Sequence, residues 1–228
     1  MTDVKFSLGK ESIATRLFEV GAIKFGAFKL KLHETKPDAP LSPFYLNLRT
    51  PDNPKPGPLT PDLVNDIAIE MLRLTDHLKK TYTYIQGLPN AGIPFELAMR
   101  QILLFEGIDI PDVRLLVKTQ DGDRRKIDGV VDETVSRGAT VLLADDLVTE
   151  ADSKIEAVKA LLKNNLFGNY TVVCVDREQG GTQALALLGH EVFSVFRVTD
   201  LFGYYLRRGL ISQEQHDTSV AYIGKQSA

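Results

Sequence analysis

The sequence contains one cysteine among 228 residues, so no internal disulfide is available. That cysteine, Cys174, lies in the apolar run VVCV and reads as a small buried hydrophobe rather than a nucleophile. Positive charge is not in excess: 27 lysines and arginines face 30 acidic residues, for a net charge of -3. With no polybasic cluster, neither a nucleic-acid nor a membrane partner is expected. Long apolar runs are missing too. No stretch approaches about 18 consecutive apolar residues, and the start MTDVKFSLGKESI lacks a basic segment followed by an apolar core. A cytoplasmic location is the default expectation. Internal repeats and low-complexity tracts are likewise lacking.

What remains is an ordinary globular composition, 43% hydrophobic, in a chain long enough to bury a sizeable core. The expected division is an N-terminal helix and hood element over residues 1–58 and an α/β core over residues 59–228. ESIATRLFEVGAI places Ile13, Leu17, Phe18 and Val20 at helical spacings. FKLKLHETKPDAPLSPFYLNLR alternates apolar and polar residues around a proline-containing turn, which suits a hairpin or an irregular strand pair. After the proline-rich TPDNPKPGPLTP, Thr60 and Pro61 form an N-cap and first helical position, with Ile67, Met71, Leu74 and Leu78 on the buried face.

From there the chain alternates. YTYIQGL, VRLLV, TVLLADDLV, YTVVCVD and EVFSVFRV are β-prone, and helical patterns such as PFELAMRQILLF and SKIEAVKALLKNN separate several of them. Their continuous apolar character predicts strands covered on both faces, hence a mainly parallel central sheet flanked by helices. Residues 119–138 are polar and charged, and suit a mobile excursion containing a hairpin.

Chemistry concentrates at VLLADDLVTEADSK. Asp145 and Asp146 sit where a buried strand should end, the place at which open α/β sheets put ligands. Adjacent carboxylates accept hydrogen bonds from vicinal hydroxyls or hold a divalent cation; a solvated strand end is the plainer alternative.

VLLADDLVT resembles the ribose-phosphate signature of the type I phosphoribosyltransferases, and VVCVDREQGG resembles the orotate phosphoribosyltransferase version of that fold. FGAFKLKLHETKPDAPLSPFYLNLR is similar to that family's amino-terminal elements, and GLPNAGIP to its pyrophosphate loop. The four segments follow the family's order and cover most of the chain. The resemblance implies transfer of phosphoribosyl from phosphoribosyl pyrophosphate (PRPP) to orotate, with Mg²⁺, by a homodimer.

Carried over by position, the resemblance assigns Asp145 and Asp146 to the ribose hydroxyls, with Mg²⁺ reaching them directly or only through PRPP. Asn90 and Ala91 would meet the pyrophosphate, Ser153 the 5′-phosphate turn, and Thr149 and Arg177 orotate. Lys31 matches a lysine near base and pyrophosphate, while Phe44 and Tyr45 fall at the base pocket. Each has a structural alternative. Arg177 could pair with Asp176 or Glu178, Lys31 could be solvent-facing on a half-buried strand, and Phe44 and Tyr45 could be core aromatics. Gly87 and Gly92 could serve only tight turns.

Two segments depart from the family pattern. The phosphate turn reads Thr149-Glu150-Ala151-Asp152-Ser153, with Ala151 where a glycine normally allows close approach. A carboxylate about 5 Å from one phosphate charge repels it by roughly 3 kcal/mol at an effective dielectric constant of about 20. The helix amino terminus returns only about 0.3 to 2 kcal/mol. Unless Asp152 points away or Lys154 compensates, the phosphate should bind poorly. The same residues suit a capping box, Ser153 with Glu156, ahead of an apolar stripe of Ile155, Val158, Leu161 and Leu162. In VKTQDGDRRKIDG, Val117 stands near the family's arginine, and Lys118, Arg124, Arg125 and Lys126 either replace the catalytic cations or form a solvated loop. Two functions are therefore expected to compete: an orotate phosphoribosyltransferase, and a ligand-binding or regulatory protein that keeps the fold without transfer. A transferase for a different base lies between them.

Overall fold

The computed structural model describes residues 5–30, 33, 37–121, 124–129 and 134–226; for 121, 124, 125 and 226 only the backbone is described. Helix α1, Leu8–Glu19, is N-capped by Ser7, which accepts from Lys10 N, and it buries Ile13 and Leu17. Strands β1, Ile23–Phe28, and β2, Ser42–Leu46, pair antiparallel. Lys31 lies outside the described residues. Helix α2, Pro61–Leu74, starts as its sequence predicts, with Thr60 accepting from Leu63 N and proline in the first turn. It ends before Leu78, which packs instead from the single 3-10 turn Asp76–Leu78.

Strand β3, Tyr84–Gly87, leads to α3, Ile93–Phe105. A hairpin follows, β4 Leu116–Asp121 with β5 Arg124–Gly129. Then come β6 Thr140–Val148, α4 Asp152–Lys163, β7 Phe167–Asp176, α5 Gly181–Ala186 and β8 Glu191–Arg197. Helices α6, Val198–Arg207, and α7, Gln213–Gln226, complete the chain.

The central sheet is four-stranded and parallel, in the order β3-β6-β7-β8. Both faces are covered, which explains why Val172, Val173, Cys174 and Val175 are all buried in one continuous run. VRLLV, expected as one of the alternating strands, does not join that sheet. Beside β3, its Leu115 and Leu116 N-H groups donate to the Gln86 side-chain oxygen, and the chain then turns into the separate hairpin. The segment expected to be a mobile excursion contains that hairpin, and β5 is docked on α4. Ile127 N donates to Glu156 Oε2, and a Cβ on Gly129 would lie 2.2 Å from Asn164 Nδ2.

Two details of α4 also differ from expectation. Glu156 is engaged by β5, and the residue at the helix start is Ala151 without a side-chain cap, so the Ser153–Glu156 capping box does not form. The buried face runs through Lys154, Ala157, Ala160 and Leu161, while Leu162 is exposed. Docking on both sheet and hairpin rotates the helix away from its simple apolar stripe.

The β1–β2 pair and the central sheet share a core. Phe44 of β2 meets the Phe202 ring at 4.8 Å, and Tyr205 donates to Ala14 O at 2.9 Å.

Candidate active site

Three loops leave the carboxyl ends of β3, β6 and β7 on one side of the sheet, the usual ligand side of a parallel α/β layer. The first is GLPNAGIP. Leu88 N donates to Ala144 O of β6, and a Cβ on Gly92 would sit 2.1 Å from that same oxygen. Gly87 is equally crowded by the Gly92 backbone, so both glycines answer close packing rather than turn geometry alone. The Pro89–Asn90 peptide is cis. Asn90 is exposed and Ala91 half-buried, between Leu88 and Gly92, which both pack on Ala144 O. Glu96, at the start of α3, accepts from Gly87 N and Gln86 Nε2, and burial raises its carboxyl pKa. Lys118 reaches the same loop, donating to Pro89 O at 3.3 Å. Lys126 is half-buried on β5, opposite Thr119. Arg124 and Arg125 belong by backbone to the hairpin tip, and their side chains lie outside the description.

The second loop follows β6, which continues past the paired aspartates to Val148. Neighbouring strand residues face opposite sides. Val141 and Leu143 pack with Ala157 and Leu161 of α4, whereas Leu142 and Ala144 pack with the α2 and α3 side. Asp145 continues the first set and Asp146 the second, so the carboxylates expected to work side by side are divided between faces. Asp145 forms a buried ion pair with Lys154, which also donates to Leu147 O. Lys154 is therefore not available to offset Asp152, as the sequence had suggested. Asp146 accepts from Leu147 N; its burial, with the charge of Asp145 nearby, pushes its carboxyl up to about 7, while Lys154 and Arg49 oppose the shift.

In the turn itself, Ala151 adopts a left-handed conformation, φ 70°. Its methyl is buried with Val148, Val173 and Leu185, pointing inward rather than obstructing the outer side of the turn. Thr149 and Ser153 are half-buried, and Glu150 and Asp152 are exposed. Gly181 clasps the turn from behind: its N-H donates to Thr149 O at 2.8 Å, and a Cβ there would lie 2.2 Å from that oxygen.

The third loop carries Arg177. Its guanidinium lies 4.9 Å from the centre of the Phe44 ring, and Nη2 donates to Ser42 Oγ at 3.4 Å. Among the described residues Nε has no partner, and burial lowers the guanidinium pKa. Neither neighbouring carboxylate is its counter-ion. Asp176 accepts from Glu178 N and Thr182 Oγ1, and Glu178 pairs with Arg197 and binds Thr199. Phe44 is thus a core ring beneath the arginine, and Tyr45 is half-buried against Phe28.

No group of three or more His, Cys, Asp or Glu residues capable of holding a metal occurs among the described residues. Asp145 is also engaged by an ammonium, so the donor set does not fit a metal held by the protein alone. Sequence reasoning missed Gln86, Glu96, Ser42 and the Lys154 pairing.

No family model matches the chain. It is 30% identical over 186 residues to uridine 5′-monophosphate synthase of Bos taurus, covering 81% of this chain and 34% of that protein. It is 28% identical over 211 residues to orotate phosphoribosyltransferase of Pyrobaculum islandicum, covering 92% of this chain and 97% of that one. The chain thus spans about a third of the first relative and nearly all of the second. Among solved structures, Leishmania donovani UMP synthase matches with a TM-score of 0.71 at 23% identity, covering 95% of this chain and 42% of that one. Orotate phosphoribosyltransferase of Francisella tularensis matches with a TM-score of 0.64 at 19% identity, covering 96% and 98% of the respective chains. These two structures share the fold of this chain. Sequence similarity across most of the chain makes it similar to the orotate phosphoribosyltransferases, and it shares the type I phosphoribosyltransferase fold.

Proposed function

We propose that this chain transfers phosphoribosyl from PRPP to orotate, giving orotidine 5′-monophosphate and pyrophosphate in pyrimidine biosynthesis. The observation that carries this reading is Arg177: a buried guanidinium without a carboxylate partner among the described residues, stacked on Phe44, with Nε unsatisfied. Such a group suits the carboxylate or ring oxygens of a planar anionic base.

The other residues fit roles around the reacting bond. Breaking the bond from the anomeric carbon to pyrophosphate and forming one to the base nitrogen passes through an oxocarbenium-like centre, so orientation and electrostatics dominate. Asp146 would hold the ribose, Thr149 the base side, and Ser153 with the uncapped start of α4 the 5′-phosphate. Asn90, Ala91 and Lys118 would meet pyrophosphate, with Arg124, Arg125, Lys126 and Lys31 as further cations. Magnesium would come with PRPP rather than be held by the protein's carboxylates, and would supply neutralisation of pyrophosphate charge.

The reading includes a homodimer, for which the exposed Leu97, Leu104 and Phe105 of α3 supply apolar surface. It also includes a hood over residues 1–58, a core over 59–228 and a cytoplasmic location. Among the described residues no helix is long and apolar enough to cross a membrane.

One observation favours the competing ligand-binding function: Glu150 and Asp152 flank the turn while Lys154 is committed to Asp145. Loss of orotate absorbance on mixing the protein with PRPP and Mg²⁺ separates the two. Turnover that Asp146→Asn abolishes is expected. No turnover beside an active control transferase would favour the ligand-binding protein.

A further inference from the structure

Lys154 enters the acidic strand end from the first turn of α4, and its Nζ donates to both Asp145 Oδ2 and the carbonyl of Leu147. Both side chains of the ion pair are almost wholly buried. A carboxylate in such surroundings requires a paired cation, and here the pair is complete within the chain. The two oxygens that Lys154 takes are also of the kind a hard divalent ion would seek.

We propose that Lys154 is the resident counter-cation of this strand end: it takes the oxygens a divalent ion would need, so the protein binds no metal there in the absence of PRPP. Asp146, on the other face of β6, is left as the carboxylate that meets the ribose. Lys154 is thus a positioning residue. It fixes Asp145 beneath the turn, and any metal in the reaction arrives on the substrate's own oxygens.

The identity of the ligand in this assignment rests on the phosphoribosyl reading, but the test uses metal alone. Mn²⁺ is titrated into the full chain without PRPP, and the loss of the free-ion EPR signal is followed. Wild type is expected to show no binding below millimolar Mn²⁺. Lys154→Met, which frees both oxygens, is expected to bind at least about tenfold more tightly. The double change Asp145→Asn with Lys154→Met removes the pair as a unit, leaves no unpaired buried charge, and is expected to return to weak binding.

Micromolar binding by wild type that Asp145→Asn abolishes would overturn the proposal, as would a folded Lys154→Met protein that binds no better than wild type. If Lys154→Met does not fold, wild type against Asp145→Asn decides, and equally weak binding by both sustains the assignment. A failed orotate assay leaves these titrations unaffected, so the two readings fail separately.

Discussion

At the scale of single residues, the site is defined by charges whose partners are unusual. Arg177 lies over an aromatic ring and lacks an acceptor for Nε, a costly arrangement for a buried guanidinium unless a ligand completes it. Lysine cannot reproduce the planar fork, so Arg177→Lys should weaken orotate binding by about 10- to 100-fold, measured by calorimetry. Circular dichroism should show the fold unchanged. Ala151 makes the opposite point. Its left-handed backbone costs about 1 kcal/mol relative to glycine, and its buried methyl returns about 0.8 kcal/mol. Ala151→Gly should therefore change stability by less than about 1 kcal/mol in urea titrations, and should not tighten PRPP binding, because the methyl faces inward.

At the scale of elements, the loop after β3 is held by α3 and by the chain entering the hairpin together. Glu96 receives Gly87 N and Gln86 Nε2, while the other end of the Gln86 amide accepts Leu115 N and Leu116 N. This network replaces a strand ladder between β3 and VRLLV with side-chain bonds, a substitution that no period in the sequence reveals. Burial holds the Glu96 carboxyl above its ordinary 4.5, so the folded state binds that proton more tightly than the unfolded chain. The stability contributed by this linkage is complete below 4.5 and is lost as pH rises through the folded-state value. Glu96→Gln has no such linkage. The stability of wild type relative to the variant should consequently fall as pH rises above 4.5 in paired urea titrations.

At the scale of the whole molecule, the surroundings of Arg177 are built from both the β1–β2 pair and the central sheet. Ser42 and Phe44 come from β2, Arg177 from the end of β7, and the same Phe44 packs into the buried cluster with Phe202 and Tyr222. Removing the hood would strip the core as well as the pocket. Unfolding is therefore expected to be a single cooperative event, with amide exchange protection of β2 and β7 lost together; a hood that exchanges in a separate, lower-energy step would contradict this.

Local patterning was enough to determine much of this protein. The helical spacing of α1, the capped start of α2, the doubly covered strands and the order of the glycine-bearing loops follow from residues close in the chain, where period and turn chemistry act. Even the burial of Cys174 was legible from its neighbours. Tertiary structure alone decided which charges meet. Lys154 turns to Asp145 because α4 is rotated by docking on both sheet and hairpin, and Glu156 leaves its cap for Ile127 for the same reason. Arg177 avoids its sequence neighbours because Thr182, Arg197 and Thr199 take them first. These choices depend on contacts between residues far apart in the chain, where burial makes each partner costly to omit.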